Sequence, residues 1–523
     1  MTLYAADGYD ASSAMNDEDD RGQPFGYRRL LGLVGGLVAA LIFLFVDLDP
    51  ANPLVSRTAA VAALMAIWWI TEAIPIPATA LLPVALFPLL GVMPGREVAG
   101  TYFNNIIFLF IGGFIMALAM QRWELHRRIA LRVILLIGGG PKKIILGFML
   151  ATAFLSMWIS NTATTMMMVP IALAVTLKFD ESSDRSTGKF ATGLLIAVAY
   201  AASVGGLATL IGTPPNAAFV QIFAISFPGA PEIGFARWFV FGLPCSLVML
   251  SFTWLVVTTM FVPRGLSKIG ERAAFRQEYR RLGRMSYEEK LVLILFTLMA
   301  LAWLSRNDLT IGAFTLPGWS SLMPVPSFID DGTIAIAVSL LLFVIPSRSR
   351  PGERLIDWAT ASRLHWGIVL LFGGGFALAG GFKESGLSQW LAGQLTGLES
   401  VPPVVMVGSI CGMLTFLTEL TSNTATTQMI LPLLASLALA IHVNPLLLMI
   451  PATLSASCAF MLPVATPPNA IVFGSGRVRM VDMVRVGLIM NLIGIVLLTT
   501  LIYVLGLFVF SIDLSTMPVW AGG

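Results

Sequence analysis

Two identical strings, Ser160-Asn-Thr-Ala-Thr-Thr165 and Ser422-Asn-Thr-Ala-Thr-Thr427, lie 262 residues apart, each inside an otherwise apolar stretch. Two further polar segments, Gly212-Thr-Pro-Pro-Asn216 and Ala465-Thr-Pro-Pro-Asn469, recur at a spacing of 253. Paired prolines cannot continue a helix, because each lacks an N–H, clashes with the preceding turn and pushes its neighbour out of the helical region. Pro214-Pro215 and Pro467-Pro468 must therefore break the helices that carry them, freeing carbonyls upstream and N–H groups downstream. Freed carbonyls are ligands for a small hard cation, and helix N-termini capped by Ser, Thr or Asn suit an anion. A single Ser-Asn-Thr would read as hydrogen-bonding glue between helices or a hairpin turn, and a single Thr-Pro-Pro as a kink. The whole set, duplicated at matched places, reads as a binding site.

The elements that carry these knots are membrane helices. Of 523 residues, 57% are hydrophobic and 12% charged, with a mean hydropathy of +0.84. Soluble domains carry about twice that charge. The 48 glycines and 30 prolines follow no collagen period and suit helices broken within a bilayer. The net charge of +3 points to no partner, nucleic acid included. Cys245, Cys411 and Cys458 fall in apolar stretches without CxxC spacing and read as small buried hydrophobes; His126, His365 and His442 are scattered. No HExxH, Walker A or GxSxG pattern is present, so nothing points to an enzyme or a cofactor.

Residues 1–27 form an acidic tail, with Asp17-Glu18-Asp19-Asp20 in a row, and read as disordered and cytoplasmic. Eleven spans are expected, near 30–46, 58–73, 78–93, 104–121, 190–227 (interrupted), 236–262, 291–305, 330–346, 366–382, 445–475 (interrupted) and 484–510. Residues 144–178 and 402–441 each hold two short apolar arms meeting at a Ser-Asn-Thr knot. At ~1.5 Å per residue such arms fall short of a ~30 Å core, so both read as re-entrant hairpins. With a cytoplasmic N-terminus, 27 of the 32 Lys and Arg lie inside. Arg57, Arg96, Arg237, Arg306 and Lys383 lie outside, as does the C-terminus, a strong positive-inside bias. Hairpins counted as double spans would give the same parity, so this supports orientation and not re-entrance. The stretch 263–290 reads as a basic cytoplasmic linker. Glu72 and Glu419, acidic residues within or beside apolar segments, are functional candidates by default, although Glu419 could serve to orient its hairpin.

The repeat extends beyond the knots. Phe110-Ile-Gly-Gly-Phe114 matches Phe372-Gly-Gly-Gly-Phe376, and Pro170 matches Pro432, again 262 apart. On this map the halves, 58–262 and 291–523 after a first helix in 28–57, enter the membrane from opposite sides. That is the inverted-repeat plan of secondary transporters, whose ligands bind near the midplane between discontinuous helices. Gly32-xxx-Gly36 and Gly408-xxx-Gly412 read as close helix packing.

At these residues the chain resembles the divalent anion/sodium symporter family, carriers of dicarboxylates, citrate and sulfate. The resemblance spans nearly all of residues 28–523, through both knot pairs to Pro518-Val519-Trp520. It implies an all-α elevator-type transporter, a homodimer with a scaffold part and a moving part, in the cytoplasmic membrane and coupled to sodium. Carried over, one sodium site would use Ser156, Ser160, Asn161 and Gly212, and the other Thr418, Thr421, Asn423 and Ala465. Substrate would touch Asn161, Thr162, Ser422, Asn423 and Thr424, with Thr213, Pro214, Thr466 and Pro467 beneath. The repeat offset agrees, since Ser156 plus 262 is Thr418.

The knots contain no Lys or Arg, yet a dicarboxylate brings two charges into a low-dielectric site. A helix end supplies about 0.3–2 kcal/mol, less than a buried bare carboxylate costs. Bound cations would make up the difference, which favours sodium coupling and a C4-dicarboxylate such as succinate, malate or fumarate. A sodium-independent dicarboxylate exchanger, or a citrate or sulfate carrier on the same fold, remains open. An enzyme or a simple channel fits the motifs and the inverted halves less well.

Overall fold

A computed structural model describes residues 26–180, 185–263, 271–311, 314–395, 397, 400–514 and 516–521; most of the acidic tail lies outside them. Apart from an antiparallel pair of three-residue strands, Leu309–Ile311 with Phe314–Leu316, its regular elements are helices, so the all-α expectation needs correcting only at that loop. Among the described residues, seven helices are long and apolar enough to cross a membrane: Tyr27–Phe45, Pro53–Thr71, Gly95–Arg122, Gly188–Gly206, Phe235–Phe261, Trp366–Glu384 and Met480–Val509. Pro53–Thr71 begins earlier than the apolar pattern because Asn52 caps it, accepting from Leu54 N, with proline at the first position. The span expected at 78–93 is not one helix. It divides into Ile76–Thr79 and Leu82–Leu89, with Pro88 inside the second, because its prolines interrupt the ladder.

Two helix pairs meet at the Ser-Asn-Thr knots, and two helices are interrupted ahead of the Thr-Pro-Pro-Asn prolines. Helices Pro141–Ser156 and Asn161–Asp180 meet at the first knot, and Pro403–Leu417 and Asn423–Ala440 meet at the second. The interrupted helices run Arg185–Gly206 then Pro214–Ser226, and Pro445–Ala456 then Pro467–Gly474. In each half, both hairpin arms pack on the first segment of the broken helix that follows. The second segments cross over: Pro214–Ser226 packs on Asn423–Ala440, and Pro467–Gly474 packs on Asn161–Asp180. All four knots therefore belong to one interlocked bundle.

Around it, Asn105–Arg122 lies against Asp331–Val344 so closely that a Cβ on Gly112 would come within 2.6 Å of the Ala335 backbone. Phe110 and Phe372 meet edge to face, 4.9 Å between ring centroids. Gly32 and Gly36 permit the close approach of Thr71 and Trp68, whereas Gly408 and Gly412 have neighbours only at 3.8 Å and mark no tight crossing. The three cysteines are buried and free, as their setting implied. Glu72 is exposed at a helix C-terminus in left-handed backbone (φ 51°), and no hydrogen bond ties it to the knots. Trp520 packs on Phe223 and Phe227 with centroids 5.4 and 5.6 Å away, joining the C-terminus to the first half.

Candidate functional site

The first knot closes on the first break. Ser156, fully buried in the last turn of its arm, places Oγ 2.6 Å from Asn161 Oδ1 and 2.7 Å from Ala202 O. One hydroxyl proton serves only one of these acceptors at a time. Two orientations of the Asn161 carboxamide satisfy the cluster differently. With its nitrogen inward it donates to Ser156 Oγ at 2.6 Å, Ala202 O at 3.1 Å and Gly212 O at 3.2 Å. With its oxygen inward, four oxygens (Ser156 Oγ, Asn161 Oδ1, Ala202 O and Gly212 O) face one another with one hydroxyl proton among them. Thr209 closes the junction, donating to Met157 O at 2.5 Å while accepting from Gly212 N at 3.0 Å. Two glycines make room: a Cβ on Gly206 would lie 2.8 Å from Asn161 Oδ1, and one on Gly212 would lie 2.5 Å from Gly206 O.

The second knot repeats this with different side chains. Thr418 Oγ1 lies 2.6 Å from Asn423 Oδ1 and 2.8 Å from Ala456 O. Ala456 ends its helix, so its carbonyl is one of the groups the break frees. Thr421 spends its hydroxyl elsewhere, on Leu417 O at 2.9 Å and Thr426 Oγ1 at 2.7 Å, leaving its backbone for any cage. The junction that Thr209 makes in the first half falls here to Glu419. Its carboxylate accepts from Phe460 N, Met461 N and Leu462 N at 2.8, 2.8 and 3.0 Å, and from Asn491 Nδ2 at 2.8 Å. Glu419 therefore orients its hairpin, as one of its two sequence readings had it.

The asparagine of each Thr-Pro-Pro-Asn pins its own break. Asn216 Nδ2 donates to Gly206 O at 3.1 Å and Thr209 O at 2.8 Å; Asn469 Nδ2 donates to Ala459 O and Leu462 O, both at 3.1 Å. Sequence reasoning named the motif but not this duty, nor Thr209, Ala202 and Ala456. The 253-residue offset, which relates all four acceptor positions of the two clamps, was the available signal.

The expected contact residues divide by exposure. Asn161, Thr162, Pro214, Ser422 and Asn423 are half-buried, Thr213, Thr424, Thr466 and Ala465 buried, and Pro467 exposed. A cavity of about 340 Å³ reaches Ser160 and Thr162 beside the first knot; its lining includes none of the second knot.

With this geometry in hand, the family model for the sodium:sulfate symporter transmembrane region matches residues 29–512. The chain belongs to that family. Among its curated relatives is the sodium-dependent dicarboxylate transporter SdcS of Staphylococcus saprophyticus, 45% identical over 495 residues and 93% of each chain. SdcS of Staphylococcus aureus is 44% identical over 505 residues, 94% of each chain. These family members are transporters and not enzymes. Two solved structures share the fold: the YdaH transporter of Alcanivorax borkumensis has a TM-score of 0.56 at 14% identity, covering 86% of this chain and 99% of that one. Neisseria gonorrhoeae MtrF has a TM-score of 0.56 at 12% identity, covering 97% and 99%. The family membership and the apolar helices make this an integral membrane transport protein.

Proposed function

We propose that this protein imports C4-dicarboxylates such as succinate, malate or fumarate, coupled to sodium, across the cytoplasmic membrane. Its relatives named as sodium-dependent dicarboxylate transporters support the coupling and the substrate class. The single observation that carries the reading is the doubled oxygen cluster, Ser156–Asn161–Ala202 and Thr418–Asn423–Ala456, at the two hairpin tips. A hydroxyl, a carboxamide and backbone carbonyls make a neutral, oxygen-only donor set, which suits a hard monovalent cation.

In this reading one sodium ion is held by Ser156, Ser160, Asn161 and Gly212, the other by Thr418, Thr421, Asn423 and Ala465. The dianion lies between the tips against Asn161, Thr162, Ser422, Asn423 and Thr424, with Thr213, Pro214, Thr466 and Pro467 beneath. Cations and hairpin N-termini together offset its two charges, so two or more sodium ions accompany each dianion. The interlocked bundle of hairpins and broken helices moves as one body against the scaffold of a homodimer, an elevator built from inverted repeats with the N-terminus in the cytoplasm.

Uptake of labelled succinate into proteoliposomes tests this, with sodium replaced by choline and with citrate and sulfate as competitors. Uptake that collapses in choline is expected. Uptake that persists unchanged there would sink the coupling, and succinate–succinate counterflow without sodium would favour the exchanger.

A further inference from the structure

The cavity beside the first knot holds chemistry that the knots lack. Part of its lining is the hairpin itself, with Ser160, Thr162 and Met166; another part is Gln121, Arg363 and His365. At about 340 Å³ it falls within the range of small-molecule sites. The cationic part is held in place by built contacts. Arg363 follows the short helix Trp358–Ala361, capped by Asp357, whose Oδ1 accepts from Thr360 N at 2.7 Å. Asp357 and Glu353 both pair with Arg122, the last residue of helix Asn105–Arg122, and Trp123 Nε1 donates to Leu355 O at 2.7 Å. His365 stands against Phe114, ring centroids 6.0 Å apart, so the second phenylalanine of the Phe110–Phe114 motif fixes the imidazole at the cavity.

The repeat makes the placement one-sided. Subtracting 262 from Arg363 and His365 gives Thr101 and Phe103, so the matched positions of the first half carry no basic group. A guanidinium binds a carboxylate bidentately and carries a full charge of its own. It therefore needs no co-bound cation, unlike the knots.

We infer that this cavity is a second carboxylate subsite, in which Arg363, with His365 and Gln121, holds the dianion between the first knot and the cytoplasmic face without sodium. This rests on the dicarboxylate reading of the knots. Because Arg363 is exposed, binding there is weak and weakens further with salt.

Met166→Cys, on the hairpin part of the lining, reports on the subsite against a background of buried native cysteines. Its reaction rates with anionic and cationic methanethiosulfonates are measured on the purified full-length protein in choline buffer, with and without succinate. The expected result is a preference for the anionic reagent that falls about 5- to 10-fold in R363Q and returns in R363K. Succinate should slow the labelling without sodium in the parent and not in R363Q. A reagent preference unchanged by R363Q, or succinate protection that requires sodium in every variant, would overturn the subsite. Sodium-dependent uptake by the same preparations shows that the variants fold. Its absence in the parent would count against the transport reading, while the labelling still decides the subsite.

Discussion

Phe110 and Phe372, the opening residues of the two Phe-x-Gly-Gly-Phe motifs, touch each other edge to face with ring centroids 4.9 Å apart. Residues at matched positions of two repeats meet in this way where a two-fold relation passes between them. The contact supports the inverted-repeat reading, and the two knots invite specific tests.

Asn161→Ala and Asn423→Ala each remove the carboxamide from an oxygen cluster. The freed carbonyl and hydroxyl lose about 1–3 kcal/mol of pairing, roughly 5- to 150-fold in an equilibrium. Sodium-driven succinate uptake should fall by at least that factor while the detergent-purified protein still elutes as one symmetric peak. Normal transport by either variant removes the site assignment.

Ser156→Ala deletes one neutral hydroxyl, worth about 1 kcal/mol. The sodium concentration for half-maximal uptake should rise roughly fivefold, with the maximal rate recovered at high sodium. A change in maximal rate alone would contradict a cation role for Ser156.

Gly206→Ala, at the last residue of its helix, should abolish coupling. Its methyl would lie 2.8 Å from Asn161 Oδ1 and 3.0 Å from Gly212 O, inside the cluster. Unaltered sodium activation in this variant would show that the cluster tolerates being filled.

Glu419→Gln leaves one acceptor oxygen for the Phe460 and Met461 N–H groups that share Oε1 and sets an amide N–H against Leu462 N, which now meets Oε2. Thermal unfolding should shift clearly downward and uptake should drop about tenfold or more, since hydrogen bonds to a charged group are worth ~1.5–3 kcal/mol each. Met157→Leu, at the matched position, should do little, because there the backbone carbonyl makes the junction with Thr209.

The Thr360 N–H, followed by the Thr360 hydroxyl and Arg122, holds the Asp357 carboxyl down at about 2. A depressed carboxyl contributes stability that is present above its ordinary pKa near 3.8 and is lost as pH falls through about 2. Proteolysis of the loop before helix Trp366–Glu384 should therefore not change between pH 8 and pH 5. Asp357→Asn should raise it at every pH in that window, and a wild-type transition near pH 6 would contradict the assignment.

Much of the bundle was legible in the sequence because its constraints are local. Paired prolines dictate a break wherever they fall, and a Ser or Thr four residues before a Ser-Asn-Thr string places its hydroxyl at the hairpin tip. What escaped was set by partners distant in the chain. Arg122 pairs with Glu353 and Asp357, and Glu419 with the backbone of residues 460–462, and no spacing rule connects them. The 78–93 span failed for a different reason: hydropathy averaged over prolines that the backbone could not ignore.

The crossed packing of second segments also sets a timetable for synthesis. Helix Asn161–Asp180 finds its partner in Pro467–Gly474, and Pro214–Ser226 finds its partner in Asn423–Ala440. At ~5–20 residues per second, the roughly 200 residues between Ser226 and Asn423 take roughly 10–40 s to emerge. For that interval the nascent first half holds a broken helix in the bilayer with half its seam uncovered. An insertase or chaperone that shields polar backbone within the membrane would be needed longest in that window, and a ribosome stalled after the basic linker should leave an intermediate that such a factor captures.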